Sequence, residues 1–158
     1  MKILYVTPGQ IPSLAANSVH VMKMAQAFAD NGQEVELIFA TTTDVSDSQI
    51  YKQYDVRPAF KLRRVKAIPF ARRAVFSLNV VLHALKAQVD IVFSRCIPSA
   101  YLASLMARKT FLEIHESPDN FNPVAKWMFH EIIRKKSFLG LVVISTALKE
   151  NVQAVGQI

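Results

Sequence analysis

Short apolar runs alternate along this chain with longer stretches in which apolar residues recur every three or four positions. The first pattern predicts buried strands and the second amphipathic helices. Lys2 to Thr7 is an apolar run that stops at Pro8-Gly9, predicting a strand and then a turn. Asn17-Ser18 offers an N-cap for a helix whose Val19, Met22, Ala25 and Ala29 share one face. Asn31-Gly32 closes that helix, with Gly32 suited to the left-handed position beyond its end. Val35 to Ala40 predicts the second strand, followed by a polar Thr/Ser/Asp loop. Phe60 to Ile68 predicts the third strand, and Phe70 to Ala87 a helix with Val75, Leu78, Leu82 and Leu85 aligned. Asp90 to Ser94 is the fourth strand, and Pro98 stands near the start of a short helix to Arg108. Thr110 to Ile114 predicts the fifth strand, Val124 to Lys136 a helix, and Leu139 to Ile144 the sixth strand. Ser145-Thr146 caps a last helix running toward Val155.

Strands that are apolar on both faces and alternate with helices imply a parallel sheet covered on both sides. The expectation is an α/β, Rossmann-like domain of about six strands spanning residues 1–158. In such a sheet the strand order reverses between the first and fourth strands, and ligands bind at the carboxyl ends there. The loops after Thr7, Ser94 and Ile114 would line that crevice. They carry Gly9-Gln10, Arg95-Cys96 and His115-Glu116. The fifth strand stops abruptly at His115-Glu116-Ser117-Pro118-Asp119, which delivers a His and acids to the predicted crevice.

Composition narrows the classes. The chain has 158 residues, is 51% apolar and contains one cysteine, Cys96, which excludes an intrachain disulfide and favours a reducing compartment. No stretch approaches the roughly 20 apolar residues of a membrane span. No signal-peptide pattern precedes Pro8-Gly9, so a cytoplasmic location is expected. The net charge is +7, and the segment from Lys61 to Arg73 holds Arg63, Arg64, Lys66, Arg72 and Arg73 with no acid. Such a block implies either an anionic partner or a solvated basic face.

Several chemistries find no support. Gly9 stands alone where a dinucleotide fingerprint needs Gly-x-Gly-x-x-Gly, and no Gly-Lys-Ser/Thr phosphate loop exists. A zinc-protease motif needs a second His one turn after His115-Glu116, but position 119 is Asp and Pro118 opposes a helix. His115, Glu116 and Asp119 as a metal set is the weaker alternative to no metal. His83 and His130 fall within helix patterns and take no role. Cys96 beside Arg95 reads as a small half-buried thiol. Nucleic acid is an unlikely partner: no RNA-binding motif is present, and only Phe60 and Phe70 accompany the basic run.

The order and spacing of five segments resemble the N-terminal, acceptor-side domain of the family-four retaining glycosyltransferases of GT-B architecture. They are Lys2 to Pro8, Val19-His20-Val21 leading to Ala27 to Val35, Val89 to Arg95, Phe111 to Glu116, and Val142 to Ser145 with Leu148-Lys149-Glu150. The resemblance implies an enzyme that transfers a hexose from a nucleotide-diphosphate sugar to an acceptor with retention of configuration. It implies that His115 faces the cleft beside the transferred hexose or the acceptor, as the catalytic residue of this domain. It places Gly9 and Gln10 near donor phosphates and acceptor, His20 at the start of the first helix, and Arg95 and Glu116 among substrate contacts. Neither metal nor cofactor is implied for this domain, and the nucleotide-sugar is a co-substrate of the full-length enzyme.

Two features depart from that family. Leu14-Ala15-Ala16-Asn17-Ser18 stands where many members carry a double glycine, and no Glu has another Glu eight positions on. The glutamate pair belongs to the C-terminal, nucleotide-sugar-binding domain, so the expectation is that this chain is one domain of a longer enzyme and inactive alone. Its acceptor would be a sugar, a lipid-linked molecule or a small molecule. Leu62, Val65 and Phe70 interleaved with the basic residues suggest docking to an anionic membrane at its inner face. The alternatives are a basic module for anionic ligands or nucleic acid, and the N-terminal half of a nucleotide-sugar epimerase.

Overall fold

Six parallel strands and the helices between them follow the alternation in the sequence. The computed structural model describes residues 1–66 and 72–154. In chain order the elements are β1 (Lys2–Gln10), α1 (Ala16–Asp30), β2 (Glu34–Thr41), α2 (Asp47–Gln53), β3 (Lys61–Lys66) and α3 (Arg72–Lys86). Then come β4 (Ile91–Ser94), α4 (Ile97–Leu105), β5 (Lys109–Ile114), a 3-10 turn (Pro118–Asn120), α5 (Pro123–Ile133), β6 (Phe138–Val143) and α6 (Thr146–Ala154). The strands lie in the order β3-β2-β1-β4-β5-β6, every pairing parallel, so the order reverses between β1 and β4 as expected of a Rossmann-like sheet.

The continuous apolar runs arise because successive side chains of a strand enter different cores. Ile3 and Tyr5 of β1 pack with Leu37, Phe39 and Phe93 under Val21, Met22 and Ala25 of α1. Leu4 and Val6 point the other way, toward Ile38, Ala40 and Val92 beneath Phe76, Val80 and Ala84 of α3. A third cluster joins Leu112 and Ile114 of β5 to Phe129 and Ile132 of α5 and Leu148 and Val152 of α6.

Four local expectations are corrected by this packing. The helix α1 is N-capped by Ala15, and Ser18 sits inside it, its Oγ donating to the carbonyls of Ser13 and Ala15 at 2.9 and 2.7 Å. Its buried face is Ser18, Val21, Met22 and Ala25, while Val19 is exposed. Within the expected polar loop lies α2, opened by a capping box in which Ser46 Oγ accepts from Gln49 N and Gln49 Oε1 from Ser46 N. On α3 the leucines Leu78 and Leu82 face outward, while Phe76, Val80 and Ala84 pack on the sheet and Ser77 and Val81 are also buried. That helix has apolar residues around most of its circumference, so periodicity alone did not select the side. Finally, Pro8-Gly9 does not end β1, which continues to Gln10 past a register irregularity. Ile68, Phe70 and Val155 lie outside the described residues.

The first part of the basic segment, Lys61–Lys66, forms the edge strand β3, and its last residues begin α3. Leu62 packs against the α1-side core and Val65 against the α3-side core, so the two cannot enter a membrane surface together. Lys61 pairs with Glu34 at 3.5 Å, Arg63 Nε with Glu36 Oε1 at 2.7 Å, and Arg64 with Asp47 and the Val45 carbonyl. Lys66 and Arg73 are exposed and make no ion pair among the described residues. Glu36 also meets His83 Nε2 of α3 at 2.7 Å, which ties α3 to β2. Burial opposes ionisation of Glu36, but the hydrogen bonds from Arg63 and His83 outweigh it and hold the carboxyl below its usual range.

Two stability measurements check this architecture. Phe129, fully buried, should cost about 3–5 kcal/mol when replaced by Ala in urea denaturation, whereas Leu14→Ala, at a side chain 94% exposed, should stay within about 0.5 kcal/mol. The depressed proton affinity of Glu36 means that its stabilisation is present above the ordinary carboxylate range and is lost as pH falls through the lowered value. Glu36→Gln should therefore be less stable than the parent at pH 7, and the gap should close on acidification. A gap that stays constant with pH would show that its charge contributes nothing.

Candidate functional site

The carboxyl ends of β1, β4 and β5 meet where the strand order reverses, and a cavity of about 860 Å³ opens there. Its wall includes Gly9, Gln10, Arg95 and His115, from the loops expected to line the crevice, and His20, which the resemblance placed at the start of the first helix. Glu116 is exposed and stands outside this lining, because the chain turns away after His115. Of the basic segment, Arg73 reaches the cavity, at the start of α3. Arg63 and Arg64 are committed to Glu36 and Asp47 instead. No carboxylate is among the lining residues, and Arg73 adds a cation there with no ion pair among the described residues, which favours an anion at that end of the wall.

The β1 wall is tightly built. Thr7 pairs with Phe39 and Gln10 with Ala40, so Pro8 and Gly9 have no partner positions on β2. The amide of Gly9 donates to Thr7 Oγ1 at 3.2 Å, and Gln10 Nε2 donates to Thr42 Oγ1 at 2.8 Å. A Cβ on Gly9 would stand 3.2 Å from Thr7 Oγ1 and 3.4 Å from Asn17 Nδ2. Opposite this wall, Ala16 and Asn17 bring the first turn of α1 to the cavity, with no acid to oppose an anion.

His115 sits just past β5 with its side chain 37% exposed. The Arg95 guanidinium lies against it, with Nε 2.9 Å from His115 Nε2 and Nη2 also in contact. The ring of His20 is edge-on at 6.4 Å between centroids. Burial, Arg95 and His20 lower the proton affinity of His115, while Glu113 pulls the other way, and the balance lies below the ordinary value of 6.5. The imidazole is thus neutral at pH 7, able to exchange hydrogen bonds with a hydroxyl but adding no charge. Arg95 supplies the charge, with a side chain only 5% exposed and Nη1 anchored on the Asn17 carbonyl at 3.4 Å.

Sequence reasoning missed Glu113, whose side chain is 2% exposed and lies within 3.1–3.4 Å of His20, Arg95 and His115. The available signal was an ionisable residue inside a strand expected to be buried on both faces. Tyr5 was also missed; its hydroxyl donates to Glu113 Oε2 at 3.3 Å, and burial, reinforced by Glu113, pushes the phenol's proton affinity up. Cys96 is fully buried, its Sγ 3.8 Å from Ser77 Oγ, and it does not face the cavity. Among the described residues no group of three or more His, Cys, Asp or Glu side chains is arranged to hold a metal ion, so His115, Glu116 and Asp119 form no such set. Nor is any described helix long and apolar enough to cross a membrane.

No protein-family model matches this chain, and no curated protein matches it. Solved structures do. A candidate UDP-N-acetylglucosamine 2-epimerase from Listeria monocytogenes superposes over 100% of the chain and 43% of its own length, with a TM-score of 0.69 and 11% identity. The lipopolysaccharide outer core galactosyltransferase WaaB, in its apo form, covers 99% of the chain and 43% of its own, with a TM-score of 0.65 and 19% identity. HepE from Anabaena, solved with UDP and glucose, covers 100% and 42%, with a TM-score of 0.63 and 15% identity. The chain therefore spans less than half the length of these neighbours. What it shares with them is the fold: a Rossmann-like α/β domain of the kind found in GT-B glycosyltransferases and UDP-N-acetylglucosamine 2-epimerases.

Proposed function

We propose that this chain is the N-terminal, acceptor-side domain of a family-four retaining glycosyltransferase, working with a C-terminal domain that binds a nucleotide-diphosphate sugar. The observation that carries the reading is the convergence of Gly9, Gln10, His20, Arg95 and His115, which the segment resemblance singled out, on one cavity at the topological switch point. Guanidinium donors from Arg73 and Arg95 suit a diphosphate leaving group, and a neutral imidazole suits a sugar or acceptor hydroxyl. In the reaction the bond from the anomeric carbon to the diphosphate oxygen breaks, the acceptor oxygen bonds that carbon on the same face, and the acceptor's proton passes to the departing diphosphate oxygen. The leaving group departs with the electron pair. The residues here act by position and electrostatics: Arg95 and Arg73 draw the donor's negative charge, and His115 orients the hydroxyl.

The acceptor is a sugar, a lipid-linked molecule or a small molecule, and neither metal nor cofactor is needed in this domain. For docking of the protein at the inner face of an anionic membrane, Lys66 is exposed, whereas Leu62 and Val65 are packed inward. A second reading is the N-terminal half of a nucleotide-sugar epimerase, favoured by the likeness to the Listeria protein.

The full-length protein, incubated with UDP- and GDP-hexoses with and without candidate acceptors, separates the two readings. Acceptor-dependent release of nucleotide supports the transferase, and a changed sugar configuration without acceptor supports the epimerase. His115→Ala should lower kcat/KM for transfer by about 100-fold, in the range expected when a group that orients the reacting hydroxyl is lost. The chain alone should show no turnover. Normal transfer by the alanine variant would remove His115 from the mechanism. The lowered proton affinity of His115 also fixes the acid limb of the rate: activity should persist as pH falls through 6.5 and decline only below it, as the ring protonates. A decline centred above 6.5 would contradict that assignment.

A further inference from the structure

Glu113 is the next-to-last residue of β5, on the face where Tyr5, Phe93 and Phe111 pack under α1. A buried carboxylate persists in such surroundings only with partners that satisfy its charge. Those partners come from three other segments and from the end of its own strand. His20 Nε2 of α1 is 3.2 Å from Glu113 Oε1, His115 Nε2 past β5 is 3.1 Å away, and Arg95 Nε past β4 is 3.4 Å away. The Tyr5 hydroxyl of β1 donates to the other oxygen at 3.3 Å. The three nitrogen-bearing side chains also line the cavity, whereas Glu113 does not. No other carboxylate pairs with any of the three among the described residues.

We propose that Glu113 is the positioning residue of this cavity: one buried carboxylate oxygen gathers His20, Arg95 and His115 from three elements and sets the orientation and net charge they present to an anionic ligand. The kinetic part of this inference rests on the glycosyltransferase reading, whereas the geometric part does not. Arg95 keeps its charge at any accessible pH, so without a carboxylate beneath it the guanidinium would be buried and uncompensated. It would turn outward and release His115, which it holds by contact. Glu113→Gln keeps the shape and removes the charge. Glu113→Asp keeps the charge and draws the oxygens back by about one carbon–carbon bond, ~1.5 Å.

The test reads the imidazoles of this chain by NMR, with no substrate present. In Glu113→Gln the release of Arg95, which lowers the proton affinity of His115 more than Glu113 raises it, should move the titration midpoint of His115 to higher pH, and the ring signals of His20 and His115 should shift together. Glu113→Asp should give a smaller displacement, and Ile132→Val, a core change in the distant α5 cluster, none. His20→Gln, at a half-exposed position that should fold normally, removes a group that disfavours protonation of His115 and should move its midpoint upward. In the full-length enzyme Glu113→Gln should lower kcat about 10- to 100-fold while KM for the nucleotide-sugar changes by less than about threefold. A His115 midpoint that stays unchanged or moves down in a folded Glu113→Gln overturns the proposal, since Arg95 would then still be in place without the carboxylate. If Glu113→Gln fails to fold, Glu113→Asp and His20→Gln decide it. If the full-length protein transfers no sugar, the functional reading falls, and the NMR result still judges the role of Glu113.

Discussion

Burial of both faces of a parallel sheet is the constraint on which the rest of this structure depends. Every strand residue in the centre must enter one core or the other, as Ile3 and Tyr5 do on one side and Leu4 and Val6 on the other. Polar side chains with work to do are then displaced to the strand ends. The end that opens is chosen by connectivity: β1 sends the chain one way to β2, and β4 lies on its other flank. The gap between diverging connections is where Gly9, Arg95 and His115 emerge, so one packing rule produces both the stability of the domain and the location of its cavity.

Much of this was legible because it follows from patterns that packing enforces. Six strands and the crevice could be read from apolar runs whose ends fall at Thr7, Ser94 and Ile114. Helix faces were harder. The stripe Leu78–Leu82 has the same period as Phe76–Val80–Ala84, and which one meets the sheet depends on the fit of side-chain size to a surface built from distant residues. The helix α2 was hidden by a polar segment, although Ser46 and Gln49 carried its capping signature. Glu113 was obscured for a different reason. A single acid within Phe111 to Ile114 reads as part of a strand until its neighbours are known, and those neighbours come from positions as remote as Tyr5 and His20.

The basic segment illustrates how sequence proximity and spatial role part company. Six cations within Lys61 to Arg73 suggest one anionic surface. In the fold, strand alternation and the edge position divide them: Arg63 and Arg64 secure neighbouring elements through Glu36 and Asp47, and Arg73 turns to the cavity. The cations at the site are thus Arg73 and Arg95, which are far apart in the chain, and Arg95 is balanced by Glu113 behind it.

The irregular register of β1 gives the cavity a wall with unusual mechanical properties. Between Thr7 and Gln10 the strand leaves its neighbour for two residues and then rejoins it, with Ile11 N bonded to the Ala40 carbonyl at 3.2 Å just beyond. Pro8 and Gly9 therefore form a short arch whose two feet are fastened to the sheet. Pro8 offers no amide, and that of Gly9 is already taken by Thr7. An arch so fixed surrenders little freedom when a ligand settles against it, in contrast to a free loop that must first be ordered. Recognition at this wall is accordingly a matter of shape, made in advance by the fold.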